Sequence, residues 1–330
     1  MVVLSVSFVV AVGIGPASIA PEEVVRILAH QVGLATPSGP AVQETILLDV
    51  RLPRVILGAM VGAGLSVVGV VLQALVRNPL ADPHIIGVSA GASVGATAVI
   101  VLGINTFGIY SLSAAAFVGA LVALVLVYFL AQHSGRLSPL RLILAGVAIS
   151  FLFAAVTSFL IFSADNANAV RSATFWLLGG LGAARWSYVT LPVVAVVAGT
   201  LLLALQSRSL DAIMMGDDTA ASLGVDPSRF RKQLFVVAAL IAGLLVAVAG
   251  GIGFVALMIP HMARILVGSS HRRLLPVAAL GGAAFLVWAD VGARMLFAPE
   301  ELPIGVITAF CGAPFFLWLM RSRDASRRVV

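Results

Sequence analysis

Residues 82–96 read DPHIIGVSAGASVGA, and the GVSAG within them, Gly87 to Gly91, satisfies the G-x-S-x-G pattern in which many serine hydrolases carry their nucleophile. A Ser89 hydroxyl becomes nucleophilic only if a base takes its proton and a third group orients that base. The hydrolase serine also needs a strand before it and a helix after it. No strand pattern precedes Gly87, and the nearest base, His84, lies on the same turn rather than on a facing element. The glycines have a plainer use. Gly87, Gly91 and Gly95 recur at every fourth position beside Ala92, Ser93 and Ala96, a small-residue face on which another helix backbone can close. Gly58, Gly62 and Ser66 repeat the device. Ser89 reads as packing, and no catalytic residue is expected.

Two other residues could do chemistry. Asp290, in VWADVGARM, is an ionisable group inside an apolar run, and such groups are costly enough to be functional candidates. A structural partnership, with an arginine such as Arg264 or with backbone at a bend, is the expected role. His261, in MIPHMAR, follows Pro260, which should free a carbonyl within a helix; a hydrogen bond at that kink suits it better than a metal or haem. The single cysteine, Cys311, excludes a disulfide framework, and no His/Cys pair suggests a metal site.

These residues must be positioned by membrane helices. Of 330 residues 61% are hydrophobic and only 10% charged, too few charges to wet a soluble surface. Apolar runs of about 20 residues, the length that crosses the hydrocarbon core, follow one another along the chain. The expected fold is an all-α polytopic membrane protein, a single domain over 1–330. Spans are expected at Val2–Ala20, Arg54–Val76, Ile85–Gly103, Ser111–Ala131, Leu142–Phe162, Trp186–Gln206, Leu234–Gly250, Phe254–Gly268, Leu274–Phe297 and Leu302–Met320. No basic residue precedes Val2, so the first run reads as a helix rather than a signal peptide. Pro21–Gly33 reads as an interfacial amphipathic helix, 34–50 as a polar connection, and 163–185 as a partly apolar, re-entrant outer segment. With both termini cytoplasmic, only Arg26, Arg51, Arg54, Arg171, Arg185 and Arg294 of the 20 Lys+Arg residues lie outside, as the positive-inside rule prefers. The net charge of +6 therefore argues for topology and not for nucleic acid.

The inner loop 207–232 contains GDDTAASLGVDPSRFRK. Asp217 or Asp218 can cap a helix start and Gly224 can end it in a left-handed C-cap. Asp226 then caps a second short helix with Pro227 in its first turn. The chain has no GxxxxGK[ST], so nucleotide chemistry would belong to a partner.

Four stretches carry a family resemblance: Arg51–Ser93, Gly224–Lys232, Gly250–Pro276 and Glu301–Leu319. In order and over nearly the whole chain, they resemble FecCD-type permeases, the membrane subunits of ABC importers for ferric siderophores, haem and cobalamin. The resemblance implies ten helices and a partnership with a second copy or a close paralogue. It also implies two cytoplasmic ATP-binding subunits, which hold ATP and Mg, and a periplasmic or lipid-anchored substrate-binding protein. No cofactor is expected in this chain, and the location implied is a bacterial inner membrane. Asp217, Asp218, Ala220, Ala221, Leu223 and Gly224 would form the ATPase-coupling loop. Arg51, Arg54 and Arg294 match arginines that receive the binding protein's carboxylates. Asn78, Leu80, Ser138, Pro139 and Leu140 match the cytoplasmic gate, where Pro139 and Leu140 replace the hydroxyl side chains of the cobalamin permeases. A ferric siderophore is the first cargo implied, with haem and cobalamin next. An ion-gradient-driven transporter would need midplane carboxylates in broken helices, for which Asp290 alone is thin support.

Overall fold

The computed structural model describes residues 2–15, 17, 19–31, 33, 41–133 and 136–327, and these are almost wholly helical. The helix α1 (Val2–Gly13) is shorter than the run that suggested it. Glycines at 13 and 15 weaken the helix there, and the chain turns into the amphipathic α2 (Pro21–Gln31). Residues 41–50 belong to the stretch 34–50 expected as a polar connection. They instead form α3 (Ala41–Thr45) and a π-helical turn, Ile46–Arg51, leading directly into α4 (Leu52–Val76).

A short 3₁₀ turn, Pro83–Ile86, precedes α5 (Val88–Leu102), and α6 (Ser111–Ala131) returns. The two-residue strands β1 (Gln132–His133) and β2 (Arg136–Leu137) pair antiparallel before α7 (Pro139–Phe162). The segment read as re-entrant contains α8 (Ala167–Leu177), and α9 (Trp186–Leu205) follows. Next come α10 (Ser207–Met215), α11 (Asp217–Ser222) and α12 (Pro227–Ala249). The helix capped by Asp226 is thus the start of a long apolar helix and not a short one. The bundle closes with α13 (Val255–Val267), α14 (His271–Met295) and α15 (Ile304–Arg327).

Six helical stretches are long and apolar enough to cross a membrane: 42–76, 108–131, and the helices α7, α9, α12 and α14. The helices α5 and α13 and the 304–319 part of α15 are apolar but shorter.

The axis of the bundle is α4, buried along nearly its whole length. Around it pack α9, α12, α13 and α14. Apolar helices gain little from pairing in lipid, so close backbone approach must hold them. Gly62 lies against the Gly282 carbonyl of α14, and Gly69 against the Ala256 carbonyl of α13. A Cβ at either glycine would collide with that carbonyl. A second group joins α5, α6 and α7. Gly91 and Gly95 lie on the Gly119 and Ala115 carbonyls of α6, while Gly146 lies on that of Ile85. The face of α7 bearing Phe151, Phe159 and Phe162 is left exposed.

Candidate functional site

At one end of the bundle, α10 and α11 form an elbow between α9 and α12. Gly216 (φ +125°) turns the chain between the two short helices and is itself the N-cap of α11. The carboxylate of Asp217 therefore does not cap. It accepts from Arg231 Nη1 and Nη2 at 2.8 and 2.6 Å and also from Arg77. Arg77 in turn donates through Nε to the Ile213 carbonyl at 3.0 Å. One acid thus ties the elbow to the end of α4 and the start of α12. Hydrogen bonds from Arg231 come first, and then the attraction of the Arg231 and Arg77 charges. Together they hold the Asp217 carboxyl below the usual carboxylate range, against some desolvation.

The other end of α11 follows the sequence reading. Gly224 is left-handed (φ +81°) and donates to Ala221 O at 3.0 Å, while Val225 donates to Ala220 O at 2.9 Å, a complete Schellman closure. The Asp226 side chain then accepts from the Ser228 and Arg229 amides at 2.9 and 3.1 Å. Ala220 is fully buried, which anchors α11, whereas Asp218, Ala221 and Leu223 face outward, as do Met214 and Met215 of α10. The elbow is a charge-clamped turn with an apolar tip.

The residues matched to a gate flank the elbow. The Asn78 side chain accepts from the Leu80 amide at 2.9 Å and fixes the turn after α4. Ser138 is the N-cap residue of α7, Pro139 opens that helix and Leu140 is exposed. Leu137, next to them, lines a cleft of about 220 Å³ with Asp217, Ala221 and Arg231. Among the described residues no hydrogen bond joins the Asn78–Leu80 turn to Ser138–Leu140. A second, half-buried pairing holds the same end: Asp211 of α10 accepts from the His271 amide at 3.0 Å and lies 2.5 Å from its Nδ1.

At the opposite end, the three arginines expected on an open surface are buried, only 5, 8 and 4% exposed for Arg51, Arg54 and Arg294. The reason is that each has found partners inside. Arg51 donates to the carbonyls of Val12 (3.1 Å), Gly13 (2.7 Å) and Ala17, and Arg294 to those of Ile14 (2.9 Å) and Ala11 (3.2 Å). Two guanidinium groups thus cap the C-terminus of α1, where orphan carbonyls and the negative end of the helix dipole favour a cation. Arg54 Nε donates to both Asp290 oxygens at 3.0 and 3.2 Å, and its Nη1 and Nη2 make a fork on Glu301 at 2.8 and 3.0 Å. Arg294 Nε lies 3.0 Å from the second Asp290 oxygen. The partners of Asp290 are therefore Arg54 and Arg294. Arg264, the candidate from sequence, instead donates to Gln73 Oε1 at 3.0 Å.

Residues 3–322 match the FecCD transport family. The chain belongs to that family. It is 45% identical to the cobalamin import system permease protein BtuC of Halobacterium salinarum, over 86% of this chain and 76% of that one. Identity is 40% to the hemin transport system permease protein HmuU of Yersinia pestis, with 84% of each chain covered. It is also 40% to the Fe(3+) dicitrate permease protein FecD of Escherichia coli, covering 83% and 85%. Among solved structures, a metal-chelate type ABC transporter in an inward-facing conformation superposes with a TM-score of 0.85 at 34% identity, over 97% of both chains.

In this FecCD-family chain Ser89 is buried, and its carbonyl accepts from Ser93 at 2.8 Å. Gly91 and Gly95 make the close approach expected of them. Gly87 does not: it is left-handed (φ +80°), stands before α5 as its N-cap, and lies nearest α7. The helix α13 runs through Pro260, and the His261 ring meets Phe315 of α15 edge-on. Sequence reasoning missed Asp211, Arg77, Arg231 and Glu301. A charged residue at the edge of an apolar run was the available signal, but its partner lay far along the chain.

Proposed function

We propose that this chain is the permease subunit of a binding-protein-dependent ABC importer, working as a dimer of itself or with a close paralogue. The observation that carries this reading is the charge-clamped elbow of α10 and α11, whose exposed Leu223, Met214 and Met215 offer an apolar tip to another subunit. In this reading the elbow end is cytoplasmic, both termini lie there, and the chain crosses the membrane ten times. Two ATP-binding subunits with ATP and Mg grip the elbows, through Asp217–Gly224. The turn at Asn78–Leu80 and the start of α7 at Ser138–Leu140 form the gate between the two copies.

The substrate-binding protein docks over the opposite end, around the α14–α15 connection. Arg51, Arg54 and Arg294 hold that surface together from below and offer no free guanidinium group in this conformation. The cargo proposed is a bulky metal chelate, a ferric siderophore first because such substrates dominate the family, with haem next; the Pro139–Leu140 piece counts only against cobalamin. A corrinoid stays as a further alternative, supported by the 45% identity to a cobalamin import permease. The deciding experiment is co-purification. A separate ATPase should come down with this chain, and its hydrolysis should rise when a loaded binding protein is added. Absence of any ATPase from an intact, active preparation overturns the reading. Growth of a deletion strain on single iron sources, against cobalamin-dependent growth, separates these cargoes.

A further inference from the structure

The helices α6 and α9 both pack on α12 yet scarcely touch one another, and the gap between them is a cavity of about 640 Å³. That volume falls in the ~300–1,000 Å³ range of ordinary ligand pockets. Small residues of α9, Ala195 and Ala198, leave the space, and exposed Leu191, Leu202 and Leu240 show that it opens on the side of the bundle. Its lining residues on α9 run from Ser187 to Leu202, about 22 Å of helix at the usual rise. Polarity is graded along that length. Hydroxyl groups (Tyr110, Ser113, Ser187, Tyr188) gather at the end where α6 and α9 begin, and only hydrocarbon lines the rest.

A second cavity of about 480 Å³ adjoins at the hydroxyl end, sharing Ser113 and Tyr188 with the first, and is lined by Arg171 and Ser172 of α8. Arg171 is exposed and has no carboxylate partner among the described residues. Glu301, which lies beside Gly182 of that cavity's lining, is already forked on Arg54. Arg185, also exposed, stands at the same end as the N-cap residue of α9.

An apolar groove ending in hydroxyls and then an unpaired guanidinium has the layout of one lipid: hydrocarbon, ester region, phosphate. We infer that this groove seats an anionic phospholipid, with an acyl chain between α6, α9 and α12 and the phosphate on Arg171. Guanidinium forms a planar two-bond fork on phosphate, and the neighbouring Ser172 hydroxyl can add a third bond. A metal chelate suits the groove poorly, since its deep part has no donor or charge to orient a polar cargo. The inference needs only that the bundle is embedded in lipid. It does not depend on the transport reading or on which leaflet holds Arg171.

The test is native mass spectrometry of the full chain released from bilayers of equal phosphatidylglycerol and phosphatidylcholine. The wild type should retain phosphatidylglycerol over phosphatidylcholine by about fivefold, the factor expected of one basic residue at an anionic surface. Arg171→Gln should remove that preference while a lipid is still retained, and Arg171→Lys should keep part of it. Ala198→Phe, which fills the groove, should release both lipids. Arg171 is exposed, so its variants are expected to fold, which keeps the test decisive if Ala198→Phe does not. A wild type that retains no phospholipid, or an unchanged preference in Arg171→Gln, overturns the inference. So does covering of the groove by a second copy, read as disulfide-linked dimers of Leu240→Cys in a Cys311→Ser background.

Discussion

Asp290 is the acid at the centre of the arginine knot opposite the elbow, and Asp290→Asn is its sharpest test. The wild-type carboxylate faces Arg54 Nε and Nη2 and Arg294 Nε, all at 2.9–3.2 Å, and is only 1% exposed. Replacing it with an amide leaves two guanidinium groups side by side in a water-poor site. Breaking a buried pair by removing one charge typically costs ~3–5 kcal/mol, because the other charge stays buried and uncompensated. Arg54 keeps its fork on Glu301, and Arg294 keeps two carbonyls, so the lower end, about 3 kcal/mol, is expected. Glu301→Gln is the matched control. That carboxylate is 38% exposed, so its loss should cost about 1 kcal/mol or less, as partly solvated pairs do. Unfolding of the purified chain in mixed micelles reads both variants. Adding Arg294→Met to Asp290→Asn should recover part of the loss, since it removes the stranded charge. If Asp290→Asn costs no more than Glu301→Gln, the knot is not what holds α1, α4 and α14 together. If Arg294→Glu leaves stability intact and weakens only binding-protein affinity, the arginines are docking groups after all.

The elbow gives two further predictions. Gly224→Pro removes an amide that donates to Ala221 and cannot adopt φ +81°, so ATP-driven uptake in reconstituted vesicles should fail while membrane insertion is normal; normal uptake overturns the coupling role. The lowered pKa of Asp217 makes the clamp strongest where Asp217 is ionised. Its stabilisation should be fully present above the unfolded carboxylate value of about 3.9 and be lost only as pH falls through the lower folded value. Limited proteolysis of the elbow across pH reads this, and loosening near neutrality contradicts it. For packing, Ser89→Ala should leave uptake and assembly unchanged, whereas Gly91→Val, whose side chain meets the Gly119 carbonyl, should cost roughly 1–3 kcal/mol of stability. Loss of function in a folded Ser89→Ala variant would restore a chemical role for the hydroxyl.

What could be read from sequence was whatever depends on local pattern. The bounds of α6 and α9, the caps at Gly224 and Asp226, and the small faces of α4 and α5 all follow from residues within one or two turns. What could not be read was pairing across the bundle. Asp217 looked like an N-cap because acids favour that position, but Gly216 already makes the turn there and Arg231 outbids the amides. Arg51 and Arg294 looked exposed because a hydropathy profile assumes α1 continues to Ala20. Its actual end at Gly13 leaves carbonyls within the bundle, and those are what draw the two guanidinium groups inward.

The two charge clusters have one structural member in common. Arg54 in the first turn of α4 enters the Asp290 knot, and Arg77, just past its last turn, enters the elbow clamp. Between them run 22 residues of helix, about 34 Å from Arg54 to Arg77 at the usual rise, nearly all buried and pinned at Gly62 and Gly69 to the backbones of α14 and α13. A packed helix of that kind does not stretch or bend cheaply. An elbow displaced by a partner must therefore either carry α4 with it or break the Asp217 bridge to Arg77. Arg231 offers the second route, because it holds the same carboxylate but belongs to α12. Whether a push at α11 reaches the Asp290 knot or is absorbed at α12 thus depends on which of the two guanidinium groups keeps Asp217 as the elbow moves. Arg77→Gln and Arg231→Gln separate these routes: the first should uncouple the elbow from α4 and leave it fixed to α12, and the second the reverse. Distances from a label on α11 to one on α4 and one on α12 should broaden in opposite variants. Equal broadening in both would mean that the shared carboxylate, and not the choice of partner, governs the motion.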